Sequence, residues 1–137
     1  MSIDRTPFVV PGAPPAIGPY VHAVASGGLL FCSGQIPLDP ATGELVGETP
    51  AEQARQCLQN LAAVAEGAGA SLADAVRCTV YLTDMDAFAA VNEVYATFFP
   101  EDPPARLALG VAALPKGALV EVEAVVALRV DRAAPDA

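Results

Sequence analysis

"LVEVEAVVALRV", residues 119–130, decides how the rest of the chain must be arranged. Read as a strand, it places Val122, Val126 and Leu128 on one face and Glu121, Val125 and Ala127 on the other. A strand at a protein surface normally alternates apolar with polar residues, but this one is largely apolar on both faces. The sheet that holds it therefore needs cover on two sides. In so short a chain, one side can be covered by helices and the other most economically by further copies of the same chain.

The remaining elements supply one such cover. "YVHAVASGGLLFCSG", residues 20–34, reads as two strands around a Ser26-Gly27-Gly28 turn, with His22 on the first of them. The turn-rich "PLDPATGEL" (37–45) leads to a helix with a well-marked start: Thr49 as cap, Pro50 in the first turn, and Glu52 completing a capping box. Ala54, Cys57, Leu58, Leu61, Val64 and Ala68 recur at helical spacing, and Gly67 and Gly69 end the helix. Val76, Cys78, Val80 and Leu82 alternate with Arg77, Thr79, Tyr81 and Thr83 as a half-buried strand. A second helix is expected from about Asp86, with Phe88, Val91, Tyr95 and Phe98 on one face. Pro100, Pro103 and Pro104 then break the chain before "PARLALGVAALP" (104–115), a further strand. The expected fold is α/β, an α+β two-layer sandwich: a mixed six-stranded sheet, five of whose strands the patterns above place, with two helices on one face. One domain spans 1–137, with residues 1–16 as an extended, proline-broken arm and 131–137 as a loose tail.

Bulk properties narrow the function. The 137 residues are 53% hydrophobic but only 17% charged, little for a small protein that exposes its whole exterior. The net charge of -9 and seven scattered basic residues oppose phosphate backbones, so no nucleic-acid partner is expected. Three cysteines, Cys32, Cys57 and Cys78, form no CxxC pair and read as buried free thiols. The proline-rich start has no basic-then-apolar leader, and no apolar run reaches membrane-spanning length, so a cytoplasmic protein without a membrane partner is expected. His22 is the single histidine and has no partners spaced for a metal site or a Ser-His-Asp triad. "SGGLLFCSGQ" lacks the pattern of a phosphate loop.

Arg106 stands out as the one charge in its strand. It shares a face with Ala108, Gly110 and Ala112, a shallow trough. Leu107, Leu109, Val111 and Ala113 make the other face, which reads as core. A guanidinium matches a carboxylate with two parallel hydrogen bonds and keeps its charge at physiological pH. Two roles stay open: an anchor for an anionic ligand, or an ion pair with Glu121 or Glu123 that ties two strands together.

Several segments, taken in order, resemble one family: "AIGPYVHAV" (16–24), "LLFCSGQIPLDPATGEL" (29–45), "EQARQCLQNLAAVAEGAGASL" (52–72), "TVYLTDMDAFAAVNEVYATFF" (79–99), "PPAR" (103–106) and "LPKGALVEVEAV" (114–125). Together they resemble the Rid proteins, the reactive intermediate deaminases, also called YjgF or L-PSP proteins and typified by RidA. The resemblance implies a chorismate-mutase-like homotrimer with active sites between subunits. It implies cofactor-independent and metal-independent hydrolysis of enamines and imines, such as 2-aminoacrylate and 2-iminobutyrate, to 2-keto acids and ammonia. By the same resemblance, Arg106 binds the substrate carboxylate, Glu121 places the attacking water and Tyr20 lines the site. Ser33, Gly34, Asn92 and the Ala108 backbone lie beside the ligand. Leu107, Ala108 and Gly110 depart from the usual residues after the arginine, which bears on substrate range. The same family also carries non-catalytic ligand-binding or chaperone-like roles and an endoribonuclease or translation-inhibitor activity, which are the alternative readings.

Overall fold

A computed structural model describes residues 2–129, so the expected tail at 131–137 and the last residue of the quoted strand lie outside the described residues. Six strands and two helices follow in order: β1 (Thr6–Phe8), β2 (Ala23–Ser26), β3 (Leu29–Gln35), α1 (Pro50–Gly67), β4 (Ala75–Leu82), α2 (Phe88–Phe98), β5 (Ala105–Gly110) and β6 (Val120–Ala127). They form one mixed sheet in the order β1-β2-β3-β6-β4-β5. Only the β4–β5 pair is parallel, joined through α2; every other neighbour pair is antiparallel.

The strand missing from the sequence pattern sits in the proline-broken arm, where Thr6–Phe8 pairs with β2. His22 lies just before β2 rather than within a strand, and it ties this arm down. Its Nδ1 accepts from the Val10 N–H at 2.7 Å, and its Nε2 lies 2.7 Å from the Pro14 carbonyl. An N–H donating to Nδ1 leaves the ring proton on Nε2, facing that carbonyl. The lone histidine thus pins the arm through two buried hydrogen bonds.

α1 starts as its sequence requires. Thr49 Oγ1 accepts from Glu52 N at 3.2 Å, and Glu52 Oε1 accepts from Thr49 N at 3.1 Å, a closed capping box. Its stripe of Ala54, Cys57, Leu58, Leu61 and Val64 is fully buried against the sheet. Two buried polar residues on the helix set neighbouring chain. Asn60 Nδ2 donates to the Leu38 carbonyl at 2.9 Å, and Gln53 Oε1 accepts from Leu119 N at 2.7 Å at the entry to β6. A single 3-10 turn, Met85–Ala87, precedes α2, so the helix begins two residues later than the pattern suggests.

The core lies between the helices and one sheet face, where Leu30, Val80, Leu82, Val120, Val122 and Val126 are fully buried. No element among the described residues covers the opposite face, where Phe31 and Leu107 remain 47% and 48% exposed. This corrects the sequence reading of β5. Arg106 pairs with the buried Cys78 and Ala108 with the buried Val80, so the arginine's face is the one toward the helices. Leu107 and Leu109 fall on the uncovered face instead. Alternation alone shows that two faces differ; it does not show which one meets the helices. On the uncovered face Phe31, Arg77, Thr79, Glu123 and Val125 line a depression of about 280 Å³. No helix among the described residues is long and apolar enough to cross a membrane.

Candidate active site

Four of the residues singled out in the sequence converge at one end of β6. Tyr20, Ser33, Gly34 and Glu121, with Ile17 and Pro115, line a hollow of about 310 Å³. Ile17 and Pro115 were missed as site residues, although both lie in segments that carry the family resemblance. Each wall has a local cause. Ser33 Oγ donates to the Val21 carbonyl at 2.7 Å, and Ser33 N donates to the His22 carbonyl at 2.9 Å, which docks the 17–22 stretch beside β3. Tyr20 is 44% exposed, and its phenol oxygen accepts from Ile17 N at 3.2 Å, curling the segment over the hollow.

Gly34 sits where the β3–β6 register slips between Cys32 and Gln35. A Cβ at this position would run into the Glu121 carboxylate. Glycine is therefore what allows the carboxylate to lie against the β3 backbone. Burial first, and the neighbouring Glu123 second, hold the Glu121 carboxyl above its ordinary value of 4.5. Glu123 shares that face but has another partner, the Tyr81 hydroxyl, which donates to it at 2.7 Å.

Arg106, Asn92 and Ala108 lie elsewhere. Arg106 is on the edge strand β5, and its Nη1 donates to Asn92 Oδ1 on α2 at 2.6 Å. Its guanidinium carbon lies 5.4 Å from the Phe88 ring centroid and 4.9 Å from that of Tyr95. The sequence pattern marks Phe88 and Tyr95 only as packing residues, yet with Asn92 they recur at positions i, i+4 and i+7 of one helix face. The strand-tying ion pair is ruled out, because Glu121 and Glu123 project from the opposite face of the sheet. Among the described residues no carboxylate is within ion-pairing distance of Arg106.

The chain thus carries two half-sites: a carboxylate-bearing hollow at β3 and β6, and a guanidinium at β5. One strand, β4, separates β6 from β5, so the two half-sites are about 10 Å apart laterally as well as on opposite faces. A ligand of a few heavy atoms cannot reach both around one sheet.

The three cysteines are buried, and none forms a disulfide. Cys32 and Cys78 flank Ala124 from the two strands beside β6, too far apart for a disulfide. Burial, and after it Cys78, pushes the Cys32 thiol up to about 12, so it is no nucleophile at neutral pH. No cluster of three or more His, Cys, Asp or Glu suited to a metal occurs among the described residues.

Comparison with known proteins bears on the whole arrangement. Residues 11–128 match the family model described as Endoribonuclease L-PSP. A RutC family protein, y4sK of Sinorhizobium fredii, is 52% identical over 89% of this chain and 97% of its own length. The human protein named 2-iminobutanoate/2-iminopropanoate deaminase is 46% identical, with 90% of each chain covered. The crystal structure of E. coli TdcF with bound serine superposes with a TM-score of 0.83 at 40% identity, covering 89% of this chain and 99% of that one. Fold, ordered motifs and near-complete coverage agree: the chain belongs to the L-PSP family, whose members are also called Rid and RutC proteins.

Proposed function

We propose that the protein hydrolyses small carboxylate-bearing imines and enamines, of the 2-iminobutanoate and 2-iminopropanoate type, to 2-keto acids and ammonia. The active form is a homotrimer in which Arg106 of one subunit faces the Glu121 hollow of the next. The observation that carries this reading is the state of Arg106: held in place by neutral groups, with no carboxylate among the described residues to neutralise it. Two relatives support the reading. The 46%-identical human protein bears the deaminase name, and TdcF holds serine, itself a small carboxylate-bearing molecule.

The chemistry asks for positioning and modest proton transfer. The substrate carboxylate docks on the free donors of Arg106, with Asn92 and the Ala108 backbone beside it. Glu121, aided by the Ala108 carbonyl, orients a water toward the imine carbon and accepts its proton as the new C–O bond forms. The imine nitrogen takes up a proton, giving a carbinolamine. Through Glu121 the hydroxyl proton then passes to the amino nitrogen, the C–N bond breaks, and ammonia leaves behind a 2-keto acid. A carboxyl group held above its usual range is better matched to exchanging a proton near neutrality. Tyr20, Ser33 and Gly34 shape the hollow around the reacting carbon. The reaction uses no cofactor or metal.

The family model's description also names an endoribonuclease. A net charge of -9 with only seven basic residues opposes that activity in this chain.

The test couples purified protein to a threonine dehydratase, which releases the unstable imine, and follows 2-keto acid formation. Addition of the protein accelerates release. Arg106→Lys, which lacks the planar fork, lowers catalytic efficiency by about 30- to 1000-fold while remaining assembled. Parent-level turnover in an assembled Arg106→Lys variant would remove Arg106 as the substrate anchor.

A further inference from the structure

Arg106 needs an explanation that its own strand does not supply. It is an exposed, long side chain on an edge strand, and such a chain normally samples many rotamers. Ion pairing would fix it, but would also cancel the charge needed for an incoming anion. The structure fixes it by other means. Phe88, Asn92 and Tyr95, all from α2, present two aromatic rings and one amide oxygen to a single guanidinium. Both ring centroids fall within the range at which a ring's negative face attracts a cation.

Tyr95 is the better seated of the two rings. It is 7% exposed, and its ring leans on Phe99 with centroids 4.8 Å apart. Its hydroxyl is buried beside the Cys78 thiol and makes no hydrogen bond of good geometry. Burial holds this phenol above its ordinary range, with Cys78 adding to the rise and Arg106 opposing it, so the group stays neutral under the arginine.

We infer that Tyr95, with Phe88, is a positioning residue for the anion-binding step: a neutral aromatic bed that orients the Arg106 guanidinium without discharging it. The amide of Asn92 takes one donor, and the remaining donors stay free for a carboxylate. The carboxylate half of this inference rests on the deaminase reading; the immobilisation of Arg106 does not.

The experiment compares the parent with Tyr95→Leu, Tyr95→Phe and Phe88→Leu. The protein is labelled with 15N-arginine, and the Arg106 signal is assigned from its disappearance in Arg106→Lys. In the parent, Arg106 Nε–Hε behaves as a rigid group. In Tyr95→Leu it shows fast averaging, and Tyr95→Phe, which keeps the ring, restores rigidity. Calorimetric binding of 2-oxobutanoate weakens about 3- to 30-fold in Tyr95→Leu, recovers in Tyr95→Phe, and appears in turnover as a raised KM more than a lowered kcat. A residue that only filled the core would shift the melting temperature and leave Arg106 mobility and this KM–kcat split unchanged. Phe88 lies outside the fully buried core, so Phe88→Leu gives the same readouts should Tyr95→Leu not fold. Arg106 as mobile in the parent as in the leucine variants, or unchanged 2-oxobutanoate affinity in both of them, overturns the inference. A rigid Arg106 in a parent that neither binds the keto acid nor deaminates supports the aromatic bed and overturns the proposed reaction instead.

Discussion

At the scale of single residues, Gly34 and Glu121 form one unit, because the first has no side chain where the second has its carboxylate. Gly34→Ala is expected to displace that carboxylate and lower kcat about 10²-fold or more, with the chain still folded by circular dichroism. Retained turnover would mean that the carboxylate works from some other position. Glu121 also sets a pH dependence whose sign follows from its raised carboxyl value. The folded state binds this proton more tightly than the unfolded chain does. The associated stabilisation is complete below the ordinary value of 4.5 and is lost as pH rises through the raised one. Glu121→Gln is therefore expected to gain stability over the parent near neutral pH, with the gap closing on acidification. Urea midpoints compared at about pH 4 and about pH 7 measure this. In parallel, the acid limb of the parent's kcat/KM profile lies above the usual glutamate range and is missing from the variant. Around the hollow, Tyr20, Ser33, Gly34 and Glu121 were legible in the sequence as polar or glycine positions, whereas, although they lie in quoted segments, its apolar walls, Ile17 and Pro115, were not singled out. These carry no charge or motif chemistry, and only the folded backbone brings them to the carboxylate.

At the scale of elements, local signals were strong where one residue type has one use. Thr49 and Glu52 define the start of α1 through hydrogen bonds formed within four residues, with Pro50 in the first turn. The Gly27-Gly28 turn, with both residues at positive φ, defines the β2–β3 hairpin for the same reason. β1 was not legible: three residues among prolines have no period, and their pairing depends on distant contacts. Those contacts include His22, whose two ring nitrogens each meet a main-chain group of the arm. His22→Ala leaves the Val10 N–H and the Pro14 carbonyl unpaired in a buried place, an expected loss of about 2–4 kcal/mol. Urea denaturation checks it. An unchanged midpoint would show that the arm is held by strand pairing alone. The face of β5 was misread for a related reason: Arg106 looks like the solvent side of a strand until Phe88, Asn92 and Tyr95 are seen beneath it.

At the scale of the whole molecule, the double-sided apolar character of residues 119–130 was the most informative signal in the sequence. It anticipated a sheet with one face under helices and one left bare. Phe31 and Leu107 on the bare face motivate a trimer, expected from light scattering as three times the 13.9 kDa chain mass. Leu107→Asp is expected to shift it toward smaller species, since a carboxylate there would be desolvated at the contact. A parent that stays monomeric at micromolar concentration would contradict the proposed sites as well as the assembly. The separation of Arg106 from Glu121 across the sheet then has a consequence for inheritance. In a ring of three, every site would take its guanidinium from one chain and its carboxylate from a neighbour, always in the same sense. Arg106→Ala and Glu121→Ala chains are each expected to be inactive alone, because every such site would lack one half. Refolded together in equal amounts, they would pair an intact arginine with an intact glutamate at about one site in four. Two dead alleles would then restore a living function between them, and a mixture that stayed inactive would place both halves within a single chain.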